Sequence, residues 1–170
     1  TSDWQADDGG SGDSAEAIRG CVRRGNFLAA WMVADFVIGA IALPMFSGFG
    51  AQAVIDRLDD AKAKAVITVD ITYRRGNVIE MAKVIDEAKP NIPSLQHVVV
   101  VARHRDKPGG DRHWWHDLVA GDATCPAEPV EADAPCMIVY TSGTTGKPKG
   151  TVHTHCGFMV KVALDFGIIL

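Results

Sequence analysis

Residues 140–150 read YTSGTTGKPKG, and the apolar run Met137-Ile138-Val139-Tyr140 leads straight into them. The run is strand-like, short and buried in character. The ten residues after it hold three glycines (Gly143, Gly146, Gly150), two lysines (Lys147, Lys149) and four hydroxyls (Thr141, Ser142, Thr144, Thr145). Glycine lets backbone N–H groups come close to a ligand. Those N–H groups, the hydroxyls and the ammonium groups are the donors that a polyphosphate requires. The Walker A spacing is absent: Gly143 and Gly146 are separated by two residues, and Pro148 follows Lys147. Pro148 also argues against a helix starting off the loop. Thr151-Val152-His153 reads as a return strand, so the loop is expected at the tip of a hairpin. A polar surface turn is the plain alternative, but it leaves the ordered TSGTTGKPKG string without a reason.

Upstream, short apolar runs alternate with helical spacing. Residues 40–46 read as a strand that ends in the turn cluster Ser47-Gly48-Phe49-Gly50. Ala51, Val54, Ile55, Leu58 and Ala61 share one helical face. Ala65–Val69 reads as a β-branched strand. Asn77 stands three residues before Glu80, which predicts a capping box for a helix with Val78, Met81, Ala82, Ile85 and Ala88 inward. Pro90 ends that helix, and His97–Val101 carries four consecutive valines. Strands without alternation, separated by helices, predict an α/β fold: a mostly parallel sheet with helices on both faces. Residues 103–135 are irregular, residues 137–140 are expected to return to the sheet, and residues 155–166 suggest a helix with Val160, Ala163 and Leu164 inward. Residues 1–14, rich in Asp, Gly and Ser, are expected to be a flexible terminus, leaving residues 15–170 as one domain.

Composition narrows the function classes. The chain has 170 residues, 47% hydrophobic and 22% charged, which is ordinary for a globular protein. A net charge of -4 gives no reason to expect a nucleic acid or an anionic membrane as partner. Cys21, Cys125, Cys136 and Cys156 form no C-x-x-C pair, so neither zinc nor a disulfide framework is read, and reduced thiols fit a cytoplasmic location. Residues 27–46 are long and apolar enough to raise the question of a membrane span. Asp35 near the centre costs about 2.5–3.5 kcal/mol on insertion scales, and Gly39 and Pro44 divide the run. A buried helix followed by a strand is the reading adopted, with membrane association as an alternative.

The string YTSGTTGKPKG resembles the signature loop of the adenylate-forming (AMP-binding) superfamily. Further stretches resemble the acetyl-CoA synthetase and short-chain acyl-CoA synthetase branch: Gly48-Phe49, the run from Ile55 through Arg57, Leu58, Asp60 and Ala61 to Lys64, Tyr73-Arg74-Arg75-Gly76, Gln96-His97-Val98-Val99-Val100 and Trp114-Trp115-His116-Asp117. They lie in register over roughly residues 39–165. The resemblance implies an acid–thiol ligase reaction. A short-chain carboxylate attacks ATP to give acyl-adenylate and pyrophosphate, and coenzyme A then displaces AMP. It implies that Thr141, Ser142, Gly143, Thr144, Thr145, Gly146, Lys147 and Lys149 hold the ATP phosphates, with Mg2+ bridging them. It implies that Arg74 and Arg75, expected in a loop before a helix N-terminus, approach the nucleotide phosphate of coenzyme A. A second basic position of the family pattern falls on Asn77 here, and solvated helix-flanking arginines are the plain alternative.

Family members are several times longer and carry motifs for adenine, ribose, magnesium and the carboxylate that have no counterpart in these 170 residues. The chain thus resembles a piece of the large N-terminal region, ending just past the phosphate loop, and is expected to be inactive alone. A non-enzymatic nucleotide or phosphate binder, or a half-enzyme needing a partner chain, is the alternative. No catalytic residue is assigned. An incomplete sheet predicts exposed edges and association. Trp114 and Trp115 read as packing anchors rather than His116-Asp117 as a catalytic pair. His153, His155 and Cys156 lack the spacing of a metal site.

Overall fold

The computed structural model describes residues 38–102, 110–119, 127–142 and 147–169. The expected terminus at residues 1–14, and the apolar helix expected before residue 38, lie outside the described residues.

Helix α1 (Ala51–Asp60) leads to strand β1 (Ala65–Val69). A hairpin follows, β2 (Thr72–Arg74) and β3 (Asn77–Ile79), and then helix α2 (Met81–Ala88). A 3-10 turn over Lys89–Asn91 carries the chain past Pro90 into β4 (His97–Val101). Strand β5 (His113–Trp114) runs directly into the short helix α3 (Trp115–Val119). Last come β6 (Pro135–Thr141), β7 (Lys149–Thr154) and helix α4 (His155–Ile169).

The central sheet has the order β1-β4-β5, and both pairings are parallel. The register sets Val66 beside Val98 and Thr68 beside Val100. Alternate valines therefore serve opposite faces. Val66, Val98 and Val100 pack with Val54 and Leu58 of α1 and with Ile85 and Ala88 of α2, closed below by Ile92 and Leu95. Val99 faces the other way, onto Trp115 of α3, with Ile67, Val101 and Leu118 around them. Helices thus cover both faces of a parallel sheet, the α/β architecture expected from unalternated strands. The anchoring role read for the tryptophans also appears, since Trp115 is buried and Trp114 packs against the opposite cluster.

Four local expectations are corrected. The stretch around Asn77 is a strand, not a helix cap. Arg75 and Gly76 have φ of 50° and 80°, the pair of positive values that closes a two-residue hairpin. Arg74 then faces Asn77 across the ladder, and Val78 is 52% exposed instead of packed on a helix face. Helix α2 starts after Glu80 with no side-chain cap; the N–H of Ala82 donates to the carbonyl of Asp70 at 3.2 Å, which satisfies one orphan donor of its first turn.

Residues 40–46 form no full strand. Ala42 makes one isolated parallel bridge to Met137, with both hydrogen bonds at 2.9 Å. Two residues later Pro44 has no N–H with which to extend the ladder. Residues 137–140 do not return to the central sheet. They belong to β6, which pairs antiparallel with β7 in a separate two-stranded sheet. Helix α4 does not turn Val160 and Leu164 inward: they are 52% and 51% exposed, because among the described residues only β7 makes repeated contacts with this helix.

Candidate functional site

The β6–β7 hairpin supplies the site. Its register pairs Tyr140 with Gly150 and Thr141 with Lys149. The YTSGTTGKPKG string is therefore a hairpin connection, and its two ends are locked side by side. Thr141, Ser142, Lys147 and Lys149 are all exposed at this end of the hairpin. The Thr141 hydroxyl reaches the Lys149 carbonyl at 3.4 Å. Gly143, Thr144, Thr145 and Gly146 lie outside the described residues. Cys136, near the far end of β6, is buried, and its thiol donates to the His153 carbonyl at 3.3 Å; burial pushes the thiol pKa up. The hydroxyls and ammonium groups at the hairpin tip make a donor-rich surface suited to an anion.

What fixes this tip is a set of residues that spacing alone did not single out. The Tyr140 phenol donates to the Asp60 carboxylate at 2.5 Å, tying the end of β6 to the end of α1. Loss of solvent raises the Tyr140 pKa above the usual phenol value, the Asp60 hydrogen bond and charge add to the rise, and the Arg57 charge opposes it. Arg57 is half-buried, donates from Nη1 to the Ala53 carbonyl at 2.6 Å, and lies 4.3 Å from the Phe49 ring centroid and 5.9 Å from that of Tyr140. Gly150 sits under Ile138 and Tyr140: a Cβ there would fall 3.0 Å from Ile138 Cγ2 and 3.3 Å from Tyr140 Cζ. The available signal was Tyr140 itself, a residue with a polar handle closing an apolar run.

The arginine pair stands on the β2–β3 hairpin, not before a helix N-terminus. Arg75 is exposed at the turn. The Arg74 guanidinium lies 4.7 Å from the Phe46 ring centroid. It fits there because residue 48 is glycine: a Cβ at Gly48 would come within 2.1 Å of Arg74 Nη1. The Arg74 guanidinium and the exposed Phe46 ring thus share one surface, and Arg75 is the next residue along, at the hairpin turn. Among the described residues no group of three or more His, Cys, Asp or Glu side chains could hold a metal ion. Nor is any described helix long and apolar enough to cross a membrane.

The family profile described as "AMP-binding enzyme" matches residues 21–168. The chain belongs to the AMP-binding enzyme family. Within that family it is similar to the acetyl-coenzyme A synthetase of Chlorobaculum tepidum, 42% identical over 134 residues, 76% of this chain and 20% of the relative. The corresponding protein of Serratia proteamaculans is 43% identical over 145 residues, 81% of this chain and 22% of the relative. That of Yersinia pestis is 44% identical over 144 residues, with the same coverage of 81% and 22%. This member of the family therefore spans about a fifth of the length of the curated relatives it matches. Among solved structures, an acetoacetyl-CoA synthetase from Streptomyces lividans superposes with a TM-score of 0.77 over 89% of this chain and 27% of that one. At 22% identity, that likeness is one of fold.

Proposed function

We propose that this chain is the phosphate-handling part of an AMP-forming short-chain acyl-CoA synthetase. The observation that carries the reading is the β6–β7 register, which brings Thr141 opposite Lys149 at the root of the YTSGTTGKPKG connection. In this reading Thr141, Ser142, Thr144 and Thr145 offer hydroxyls to the β- and γ-phosphates of ATP, and backbone N–H groups of Gly143 to Gly146 complete the cradle. Lys147 and Lys149 balance the charge of the departing pyrophosphate. Such chemistry depends on positioning and charge neutralisation more than on covalent help from the protein. Mg2+ enters as the counter-ion of the nucleotide. Arg74, over Phe46, and Arg75 at the hairpin turn form the surface offered to the phosphates of coenzyme A. The parent reaction joins a short-chain carboxylate to coenzyme A at the cost of ATP, in a cytoplasmic setting. The residues for adenine, ribose and carboxylate belong to the part of the relatives that this chain does not span.

A second reading, a half-enzyme completed by a partner chain, draws support from α4, whose Met159, Val160, Leu164 and Ile168 are all exposed. ATP–pyrophosphate exchange by the purified chain in magnesium, with acetate, propionate or no acid, combined with calorimetric titration of Mg·ATP, tests both. Binding without exchange is the expected result. Acid-dependent exchange would show an adenylating unit sufficient in itself. A folded chain that binds neither Mg·ATP nor magnesium pyrophosphate would overturn the phosphate-site assignment.

A further inference from the structure

The two proposed ligand surfaces, the hairpin tip with Thr141 and Lys149 and the hairpin with Arg74 and Arg75, come from chain segments far apart in sequence. A run of side chains joins them. Arg74 lies over Phe46 with its guanidinium carbon 4.7 Å from the ring centroid. Phe46 meets Phe49 edge-to-face, with centroids 5.9 Å apart and planes at 67°. Arg57 lies over the opposite partner in the run, 4.3 Å from the Phe49 centroid. The same guanidinium is 5.9 Å from the Tyr140 centroid, and Tyr140 donates to Asp60 at 2.5 Å. A cation, two rings, a second cation and a third ring thus follow one another from one surface to the other. Each step falls within the range in which a cation and a π face, or two rings at an angle, attract one another.

We propose that Phe49 and Arg57 are positioning residues which, through Phe46 and Tyr140, hold the Arg74 hairpin and the root of the phosphate connection in one fixed relative geometry. The assignment of ligands to the two ends rests on the function proposed above; the mechanical link does not. Three features of the sequence fit the proposal. Gly48 leaves room for Arg74 to reach Phe46. Arg57 is anchored on its own helix by the Ala53 carbonyl, so its head is held in place by a backbone atom. Gly150 leaves the Tyr140 ring flush against β7. A rigid link of this kind would suit a protein whose two half-reactions share one reactive centre, because the two ligand surfaces would keep one spacing through both.

The test is a double-mutant cycle between the two ends of the run, which make no direct contact with each other in the series above. Arg74→Met removes the cation and keeps the stem. Tyr140→Phe removes the phenol O–H and keeps the ring. Urea unfolding of the 170-residue chain is measured for both single variants and the double, first in the wild-type background and then with Phe49→Leu, and with Phe49→Tyr as the conservative control. The link predicts that the effects of the two end variants on the folding equilibrium are non-additive by about two- to tenfold. Phe49→Leu abolishes the non-additivity and Phe49→Tyr preserves it. A residue that served packing alone would change stability in Phe49→Leu and leave the end variants additive in every background; that result would overturn the proposal. In parallel, Arg74→Met is expected to weaken magnesium pyrophosphate binding about two- to fivefold in wild type and not at all in Phe49→Leu. If the wild-type chain binds no pyrophosphate, the phosphate assignment fails by itself, and the unfolding cycle still decides for or against the link.

Discussion

Gly150→Ala is a small change with a definite expected cost. Gly150 is not among the residues with positive φ, so no backbone conformation demands glycine there. The reason lies in space: a Cβ would stand 3.0 Å from Ile138 Cγ2, 3.3 Å from Tyr140 Cζ and 3.4 Å from Tyr140 Cε1. All three atoms belong to side chains of β6, which must give way by a few tenths of an ångström to admit the methyl. Overpacking of this kind costs about 1–3 kcal/mol. Against it stands a gain of about 0.4–1 kcal/mol, because alanine leaves the unfolded chain fewer conformations than glycine. The net expectation is a loss between about 0 and 2.6 kcal/mol, with a midpoint of about 1.3 kcal/mol, or roughly 3–5 °C in Tm for a chain of this size. Urea denaturation followed by tryptophan fluorescence reads it. Ile138→Ala removes Cγ2, so the Gly150→Ala penalty should shrink in that background. A Gly150→Ala variant more stable than wild type would refute the steric argument and with it the close seating of Tyr140 on β7.

Further outcomes follow from the same geometry. Ile92→Ala, at 1% exposure beneath α1 and α2, should cost about 2–5 kcal/mol in urea unfolding. Gly76→Ala places a side chain at φ 80° and should cost about 1–2 kcal/mol, while Arg75→Gly at φ 50° should be neutral or slightly stabilising; thermal scans compare the two. Removing Lys147 or Lys149 (to Ala) should weaken magnesium pyrophosphate binding about tenfold or more, the scale of a lost charge-assisted hydrogen bond. Tyr140 should ionise above the usual phenol range in an ultraviolet titration, because burial and Asp60 hold its proton. Its contribution to stability is then complete below pH about 10 and falls as pH rises beyond that, since the unfolded phenol ionises first; Asp60→Asn should reduce that alkaline loss.

Much of the fold was legible because burial on two sides leaves a plain mark. The valines of β4 and the β-branched residues of β1 admit no polar face, and a strand of that kind needs helices above and below. Helix α1 was equally plain from Val54, Leu58 and their neighbours. The β2–β3 hairpin was not legible, because Arg75-Gly76 is not the Asn-Gly or Asp-Gly pair that announces a two-residue turn. Asn77 and Glu80 carried a capping pattern that strand pairing overrode. The loop string pointed to the proposed phosphate surface through its own residues. Its supports could not be found that way: Asp60 and Tyr140 are 80 residues apart, and no periodicity relates Phe46, Phe49 and Arg57 to either. Contacts of that range exist only once the chain has folded.

The split between the two sheets also bears on the order in which the molecule assembles. Strands β6 and β7 are neighbours in sequence, and an antiparallel hairpin of this type closes in about 1–10 μs. Pairing β1 with β4 requires Ala65 to find His97 across an intervening hairpin and helix, and parallel pairings across long loops form slowly. The segment bearing Thr141 and Lys149 is thus poised to take shape on the timescale of a local event. The α1–β1–β4 core that steadies it through Tyr140 and Asp60 arrives later. Early in folding, this order would give a hairpin already paired and still free to swing.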